Sequence, residues 1–138
     1  MNFIHHLTIR LYDTDAAGIL YFGSQFRLIH DTFESWLNQE GLNLGALIKG
    51  NKIGFVIVHA ESDYLLPLTV GDDVTIELSI SHIGQTSFTC SYEIRNNDNH
   101  LCGRSKTTHV CVNSETKKKN PISDTLRNQL SKYRSGHL

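Results

Sequence analysis

The chain has 138 residues, of which 39% are apolar and 20% are charged, a composition typical of one folded globular domain. Its formal net charge is −1 and its pI is about 6.7, so charge gives no general attraction to nucleic acid or to an anionic membrane. No apolar stretch reaches the roughly 20 residues of a membrane span, and residues 1–6 do not resemble a secretory signal. We expect one domain over residues 1–138, with neither nucleic acid nor a membrane as partner.

Cysteine and histidine spacing bears on cofactors and on location. Cys90, Cys102 and Cys111 are odd in number and lack C-x-x-C spacing, which argues against a disulfide framework and a zinc site. The eight histidines show no ligand spacing with cysteines or acids. We expect reduced thiols in a cytoplasmic protein, with no metal and no other cofactor.

The first elements in the chain are a strand and a long helix. Residues 3–11 carry β-forming side chains in rough alternation and predict a strand. Apolar residues then recur at helical spacing, which predicts an amphipathic helix of about 18 residues and ~27 Å. Gly41 supplies its C-terminal stop. The apolar stripe consists of Phe22, Phe26, Ile29, Phe33, Trp36 and Leu37.

Four further alternating segments predict strands, at residues 53–66 (one strand or a bent pair), 74–81, 87–95 and 101–112. Their connections are short, and short connections join antiparallel neighbours. One face of each strand is polar, so we expect the sheet to be covered on one side only. Asn120-Pro121 predicts the N-cap and first residue of a C-terminal helix over about residues 121–134. The fold class is therefore α+β.

The turn between the first strand and the helix reads YDTDAAGILYF, residues 12–22. It can aim an acid at a helix N-terminus, where unpaired N–H groups and a partial positive charge stabilise developing negative charge. Asp, Thr and Gly are equally ordinary turn and cap residues. These residues alone leave a catalytic and a structural role open.

This string and a second one, DYLLPLxxGD at residues 63–72, together resemble the 4-hydroxybenzoyl-CoA thioesterase family over roughly residues 3–113. Within that family the first string is most similar to the 1,4-dihydroxy-2-naphthoyl-CoA thioesterases of phylloquinone and menaquinone synthesis. The resemblance implies the hotdog fold, a curved antiparallel sheet wrapped around one long central helix. It also implies hydrolysis of an aromatic acyl-CoA, by a homodimer or homotetramer with sites between subunits.

The resemblance also assigns catalytic roles. It places the catalytic carboxylate on Asp15, as nucleophile or general base toward the thioester carbonyl. The oxyanion donor is a backbone N–H at or next to Phe22, and Gly18 allows a turn with positive φ. Partial desolvation by Tyr21, Phe22 and the bound acyl group would make Asp15 a stronger base. We expect Asp13 to be structural, with its carboxylate on turn N–H groups.

Substrate contacts are the second group of expected site residues. The predicted acyl-pocket walls are Tyr21, Phe26, His30, Phe55 and Val56. His30 lies where hydroxybenzoyl-specific relatives carry an acid that contacts the ring hydroxyl, and we hypothesise that it binds a hydroxyl of a larger aromatic acid. A helix-surface pair of His30 with Glu34 is the alternative. For the CoA phosphates we predict backbone N–H groups around Gly84, with charge from Arg104 and Lys106.

Three alternative functions are open. YbgC-type thioesterases, which are broader in specificity, usually carry a His where this chain has Phe22. A hotdog dehydratase needs a His at the helix start with an acid from the partner subunit, and Phe22 argues against it. A non-catalytic acyl-CoA-binding protein would be expected to carry an additional DNA-binding segment.

Overall fold

A computed structural model describes residues 1–42, 45, 49–50 and 53–135. Its described part contains one five-stranded antiparallel sheet of order β1-β3-β4-β5-β2. The strands are β1 (Phe3–Thr8), β2 (Ile53–Tyr64), β3 (Asp73–Ile83), β4 (Ser87–Asn96) and β5 (Leu101–Asn113), and the helices with defined bounds are α1 (Ser24–Gln39) and α2 (Asp124–Lys132).

The core lies between α1 and one face of the sheet. α1 buries Leu28, Ile29, Phe33, Trp36 and Leu37 completely or nearly so, because these apolar side chains recur on one stripe of the helix. On β3 and β4 every second residue is buried, while the residues between them are only partly buried. The sheet is thus covered on one side, and the predicted α+β class with a long helix against an antiparallel sheet is confirmed.

The edge strand β2 carries a bulge. The pairing register with β5 shifts between Ile57 and His59, which leaves Val58 without a cross-strand partner. A bulge bends a strand and increases its twist. β2 pairs with β5 alone among the described strands, so its other edge offers free backbone groups to a further strand.

Two predicted boundaries at the start of the chain are wrong. The first strand ends at Thr8 rather than at residue 11, because residues 11–13 form a 3-10 turn closed by a hydrogen bond from Asp13 N–H to Arg10 O. The helix begins at Ser24 rather than Phe22, since Tyr21 N–H is held by Asp13 O at 2.9 Å. Gly41 ends the helical segment with φ +73° as predicted.

The predicted start of the C-terminal helix is also wrong. Ser123, not Asn120, is the N-cap of α2, and its side chain accepts a hydrogen bond from Leu126 N–H. Residues 119–122 instead run beside the sheet: Asn120 N–H binds Cys111 O at 2.9 Å and Ile122 N–H binds Gln85 O at 2.8 Å. Those backbone bonds keep the Asn-Pro pair extended, so the helix starts later.

Candidate active site

The turn that joins β1 to α1 is a short antiparallel ladder. Asp13 O accepts from Tyr21 N–H at 2.9 Å, Thr14 bridges Leu20, and Asp15 N–H donates to Ile19 O at 3.1 Å. Gly18 lies near the tip with φ +79°, a conformation that favours glycine. The Asp15–Ile19 pair and the Asp13–Tyr21 pair are two residues apart in this ladder, which corresponds to roughly 7 Å along the backbone.

Asp13 is locked inside this turn. Its side chain is fully buried; Oδ1 accepts from Arg27 Nε at 2.9 Å and lies 2.7 Å from Arg27 Nη2. Oδ2 accepts from Arg10 N–H at 2.9 Å. The backbone contact agrees with the expected structural role, whereas the ion pair with Arg27 was not expected. Because Asp13 is fully buried and both oxygens already accept hydrogen bonds, its carboxylate is not open to a substrate.

Asp15 lies two residues later and has the opposite environment. Its side chain is exposed, and Oδ1 accepts from Ala17 N–H at 2.9 Å. Within the described residues Oδ2 has no hydrogen-bond partner. The turn therefore fixes the carboxylate through one oxygen and leaves the other open to water or substrate.

The start of α1, just after this turn, offers backbone donors. The N–H groups of Phe22 and Gly23 make no hydrogen bond to any described residue. Tyr64, from the end of β2, donates its hydroxyl to Phe22 O at 2.6 Å and holds the helix start in place. A Cβ on Gly23 would lie 2.8 Å from the Tyr21 ring, so glycine permits this close packing.

Phe22 and Tyr21 form an exposed aromatic pair. Their ring centroids are 4.6 Å apart, and Phe22 is 62% exposed. A contiguous exposed apolar patch is a common mark of a ligand or partner contact. Within one chain these rings leave Asp15 solvated, so the expected desolvation requires a bound acyl group or a second subunit.

Gln25 is a site-lining residue that the sequence analysis missed. It is 1% exposed in the first turn of α1, and Nε2 donates to Asp63 O at 3.2 Å and Ser105 Oγ at 3.3 Å. A Cβ on Gly103 would lie 2.8 Å from that nitrogen, so the strand glycine makes room for the amide. A glycine inside a strand pattern is the sequence signal for such an approach.

A cavity of about 230 Å³ lies beside the turn. It is lined by Ile19, Leu20, Gln25, Tyr64, Leu65, Leu66, Pro67 and Leu68. These residues come from the turn, from the start of α1 and from the second family-like string at residues 63–72. The two sequence strings therefore meet in space, although about fifty residues separate them.

The predicted acyl-pocket residues divide into two groups. His30, Phe55 and Val56 line a second cavity of about 240 Å³ farther along α1. Tyr21 lies at the helix start, and Phe26 packs against the hydrophobic core. His30 also contacts Glu34 Oε1 at 3.2 Å, so the geometry contains both the pocket position and the helix-surface pair.

The residues predicted for CoA do not form one cluster. Gly84 N–H is already bonded to Ser87 O at 2.7 Å, and Gly84 O accepts from Arg127. Arg104 and Lys106 are exposed on the outer face of β5. Since Arg104 pairs with Glu93 in the sheet, it lies roughly 20 Å along β4 from the Gly84 hairpin. Their role toward CoA stays a prediction.

The described residues also bear on metal binding, on membrane crossing and on the state of the cysteines. Within the described residues no group of three or more His, Cys, Asp or Glu side chains could hold a metal ion. Among those residues, too, no helix has the length and apolar character to cross a membrane. Cys90, Cys102 and Cys111 are buried free thiols, and burial raises the pKa of Cys90 to about 12 and that of Cys111 to about 11.

The sequence matches a protein-family profile and several curated proteins. The profile of the thioesterase-like superfamily matches residues 9–130. A 1,4-dihydroxy-2-naphthoyl-CoA hydrolase from Rippkaea orientalis is 36% identical over 121 residues, which cover 86% of this chain and 88% of the relative. A hydrolase of the same name from Synechocystis is 34% identical, with 88% of each chain covered.

Solved structures give the same fold. The crystal structure of a 1,4-dihydroxy-2-naphthoyl-CoA thioesterase from Synechocystis matches with a TM-score of 0.88 and 31% identity, covering 95% of this chain and 96% of that one. A gentisyl-coenzyme A thioesterase matches with a TM-score of 0.84 and 26% identity, covering 92% and 98%. A Staphylococcus aureus protein in complex with CoA is 16% identical with a TM-score of 0.88 and covers 100% and 89%, so it is similar in fold.

Proposed function

Because this chain belongs to the thioesterase-like superfamily, we propose that it hydrolyses the thioester bond of an aromatic acyl-CoA. The substrate that the relatives support best is 1,4-dihydroxy-2-naphthoyl-CoA, since three of those described above carry that activity in their names and cover most of both chains. The products are then 1,4-dihydroxy-2-naphthoate and CoA. By the family resemblance, this step belongs to phylloquinone or menaquinone synthesis.

One observation carries the mechanism: the turn that holds the open carboxylate of Asp15 leads directly into a helix start whose Phe22 and Gly23 N–H groups are unengaged in the described chain. A carbonyl oxygen bound at Phe22 or Gly23 N–H needs about 3 Å, and attack on the carbonyl carbon needs about 3–3.5 Å more. In this arrangement Asp15 and the helix-start donors act on the two ends of the same thioester carbonyl. The negative charge that develops on its oxygen is then stabilised by helix-terminal donors.

Asp15 acts in one of two ways. As a general base it takes a proton from a water molecule that attacks the carbonyl carbon. The C–S bond then breaks, and Asp15 passes that proton to the departing sulfur, so that CoA leaves as a thiol. As a nucleophile its carboxylate attacks the carbonyl carbon, expels the thiolate and forms an anhydride that water then hydrolyses. Either route consumes one water and needs no metal or cofactor.

The open edge of β2 supports a homodimer. Val56, Ile57 and Val58 are each between 44% and 60% exposed on a strand that has a free edge among the described strands. An exposed apolar edge strand is a site for pairing with another chain. We place the association there, with Asp15 of one subunit close to pocket residues of the other, as a dimer or as a tetramer of such dimers.

The cysteines support a location. Because the three buried thiols are all free, they suit a reducing compartment, and we place the protein in the cytoplasm.

The test is steady-state hydrolysis of four thioesters by the native protein, with thiol release as the readout: 1,4-dihydroxy-2-naphthoyl-CoA, gentisyl-CoA, benzoyl-CoA and palmitoyl-CoA. The proposal predicts the highest kcat/KM for the naphthoyl thioester. Similar kcat/KM values for all four thioesters would refute the naphthoyl preference and indicate an acyl-CoA thioesterase of broad specificity. No hydrolysis of any would leave a non-catalytic acyl-CoA-binding protein.

A further inference from the structure

The cavity of about 230 Å³ beside the turn that joins β1 to α1 contains an amide that the proposed reaction does not use. Two polar side chains line it, those of Gln25 and Tyr64. An apolar cavity with a few placed polar groups is the usual form of a small-molecule site, in which the polar groups fix the orientation of the ligand. The remaining lining residues are apolar: Ile19, Leu20, Leu65, Leu66, Pro67 and Leu68.

Contacts with the sheet hold the carboxamide of Gln25 in one orientation. The residue is 1% exposed, and its Nε2 donates to Asp63 O at 3.2 Å and to Ser105 Oγ at 3.3 Å. Ser105 Oγ is itself fixed, since it lies 2.7 Å from Ser62 Oγ. A Cβ on Gly103 would lie 2.9 Å from Gln25 Oε1, so the amide packs directly on the β5 backbone. The nitrogen thus takes the partners that the sheet offers.

The oxygen of the same amide has no hydrogen-bond partner in the described part of the chain. In that part, the polar side-chain atoms that lack a partner and are also closed off from the surface are Trp36 Nε1 and His109 Nδ1. Gln25 Oε1 is not one of them, so it keeps accessible surface, and the residue lines the cavity. Nearly all polar groups of buried residues are hydrogen-bonded, so this oxygen is available to a donor that enters the cavity.

The polar side chains of the cavity offer acceptors and no donor. Tyr64 gives its hydroxyl proton to Phe22 O at 2.6 Å, which leaves lone pairs on its oxygen. The free atom of Gln25 is a carbonyl oxygen, which can only accept. A ligand group with an N–H between apolar segments suits this lining. A carboxylate or phosphate would be buried there without side-chain donors, which is unfavourable.

We propose that Gln25 Oε1 accepts a hydrogen bond from an amide N–H of the pantetheine arm of CoA, which makes Gln25 a substrate-positioning residue. The arm is a neutral chain in which methylene groups alternate with amides. The amide nearest to the sulfur is separated from it by a pair of methylene groups, so it stays close to the reacting thioester. This inference rests on the proposed hydrolysis of an acyl-CoA, and it names what holds the CoA side of the substrate.

The place of Gln25 on α1 connects this contact to the reaction. Gln25 follows Phe22 and Gly23, whose N–H groups are the proposed oxyanion donors, by three and two residues. An amide bound at Gln25 and a carbonyl bound at the helix start are therefore held by one short segment. Holding a thioester on both sides of its sulfur reduces the entropy lost on reaching the transition state. Because the contact is to CoA, it is independent of the acyl group.

The first test compares two small thioesters of 1,4-dihydroxy-2-naphthoic acid that differ in one group. One carries N-acetylcysteamine, which reproduces the amide nearest to the sulfur. The other carries a 4-oxopentyl group on sulfur, in which a methylene replaces that N–H. For the native protein we expect kcat/KM to be about tenfold or more higher for the amide thioester, because the methylene leaves Gln25 Oε1 unpaired. Values within about twofold of each other would overturn the inference.

Two variants assign this preference to the oxygen. Gln25→Met keeps the length of the side chain and removes Oε1, so the ratio of the two kcat/KM values should fall to within about twofold of one. Ser105→Ala removes one partner of Gln25 Nε2 and leaves Oε1 in place. Its ratio should stay at the native value, whatever the change in rate. A purely structural role for Gln25 would slow both thioesters equally, so a native ratio in Gln25→Met would overturn the inference.

A binding arm separates this inference from the proposed function. The 2-naphthylmethyl thioethers of the same two arms cannot be hydrolysed, and calorimetry gives their dissociation constants for the native protein and for Gln25→Met. If the native protein hydrolyses neither thioester but prefers the amide thioether, and Gln25→Met does not, hydrolysis is refuted and the inference stands. If hydrolysis occurs and neither ratio depends on Gln25, the inference alone is overturned.

A measurement on the native protein covers the case in which Gln25→Met does not fold. The ¹³C resonance of the Gln25 side-chain carbonyl is followed while either thioether is added, because this carbon responds to hydrogen bonding at Oε1. A shift with the amide thioether and none with the 4-oxopentyl thioether supports the contact. Equal responses to both thioethers overturn it.

Discussion

The hydroxyl of Tyr64, at the end of β2, donates a 2.6 Å hydrogen bond to the carbonyl oxygen of Phe22, just before α1 begins. This contact joins the second family-like string to the helix start that carries the proposed oxyanion donors. A carbonyl held in this way orients the peptide unit that also carries the Gly23 N–H. The position of the donors therefore depends on a side chain from the sheet.

We expect Tyr64→Phe to lower kcat about tenfold while KM changes little, because the lost contact positions a group that acts in the transition state. Since Tyr64 is half-exposed, the free energy of unfolding of the variant should be only about 1 kcal/mol lower than that of the native protein. Steady-state kinetics and urea unfolding measure both. Tyr12→Phe is the control: Tyr12 is exposed and its hydroxyl has no hydrogen bond within the described chain. An equal loss of kcat in the control would refute the positioning role.

The ion pair of Asp13 with Arg27 predicts an asymmetry between two variants. Arg27→Met leaves a fully buried carboxylate without its countercharge, whereas Asp13→Asn leaves a half-exposed guanidinium that water can solvate. Leaving a buried charge unpaired lowers the free energy of unfolding by about 3 kcal/mol, which is the loss that we expect for Arg27→Met. For Asp13→Asn we expect a loss of about 1–2 kcal/mol. Urea unfolding compares the two variants. Equal losses, or a larger loss for Asp13→Asn, would contradict the described burial.

The pKa of His109, lowered to about 4 by burial and by His30, predicts a pH dependence of stability. The unfolded chain binds the proton near pH 6.5 and the folded chain only near pH 4, so the free energy of unfolding falls as the pH drops through that window. The loss amounts to about 3 kcal/mol and is absent above pH 6.5.

The measurement is urea unfolding of native protein and His109→Phe between pH 4 and 8. His30 from α1 and the Tyr92 hydroxyl, through Thr107, are the polar groups nearest His109, and both remain in the variant. The stability difference between the two proteins should therefore change with pH only below about 6.5. A difference that is constant with pH would show that His109 is not buried as a neutral ring.

The β2 edge predicts the effect of a single charge on association. Val58→Lys places an ammonium group at an exposed, unpaired edge position, and lysines on edge strands oppose strand pairing. We expect the variant to sediment as a monomer under conditions where the native protein is a dimer or tetramer. Ile4→Lys, on the edge strand β1 and similarly exposed, should leave the oligomer intact. Dissociation by Ile4→Lys instead would move the interface to the β1 edge.

The periodicity of the sequence was sufficient to predict the helix and the strands, because burial on one face imposes periods of 3.6 and 2. Two of the boundaries that were wrong depend on contacts outside the local pattern: Asp13 O with Tyr21 N–H, and residues 119–122 with Gln85 and Cys111. The first strand ends early for a local reason, the 3-10 turn at residues 11–13.

In the candidate site, too, some features could be predicted from the local sequence and others depend on residues of other elements. The two acids of the turn were visible in the sequence, but the partner of Asp13, Arg27, lies on α1. Gln25 and Tyr64 act through backbone groups of other elements. For His109 a signal existed: the outward residues Arg104 and Lys106 imply that Ser105, Thr107 and His109 face inward. Polar side chains that face the core need hydrogen-bond partners, so this alternation singles out His109 from the sequence.

The most direct test of the account is the hydrolysis of 1,4-dihydroxy-2-naphthoyl-CoA by Asp15→Asn. The amide keeps the size of the side chain but is neither a base nor a nucleophile, so kcat/KM should fall about 10²–10⁴-fold. Asp98→Asn, at another exposed turn carboxylate, should retain native activity. Both variants should unfold at the same midpoint urea concentration as the native protein. Asp15→Asn with kcat/KM within about threefold of native would contradict a catalytic role for this carboxylate.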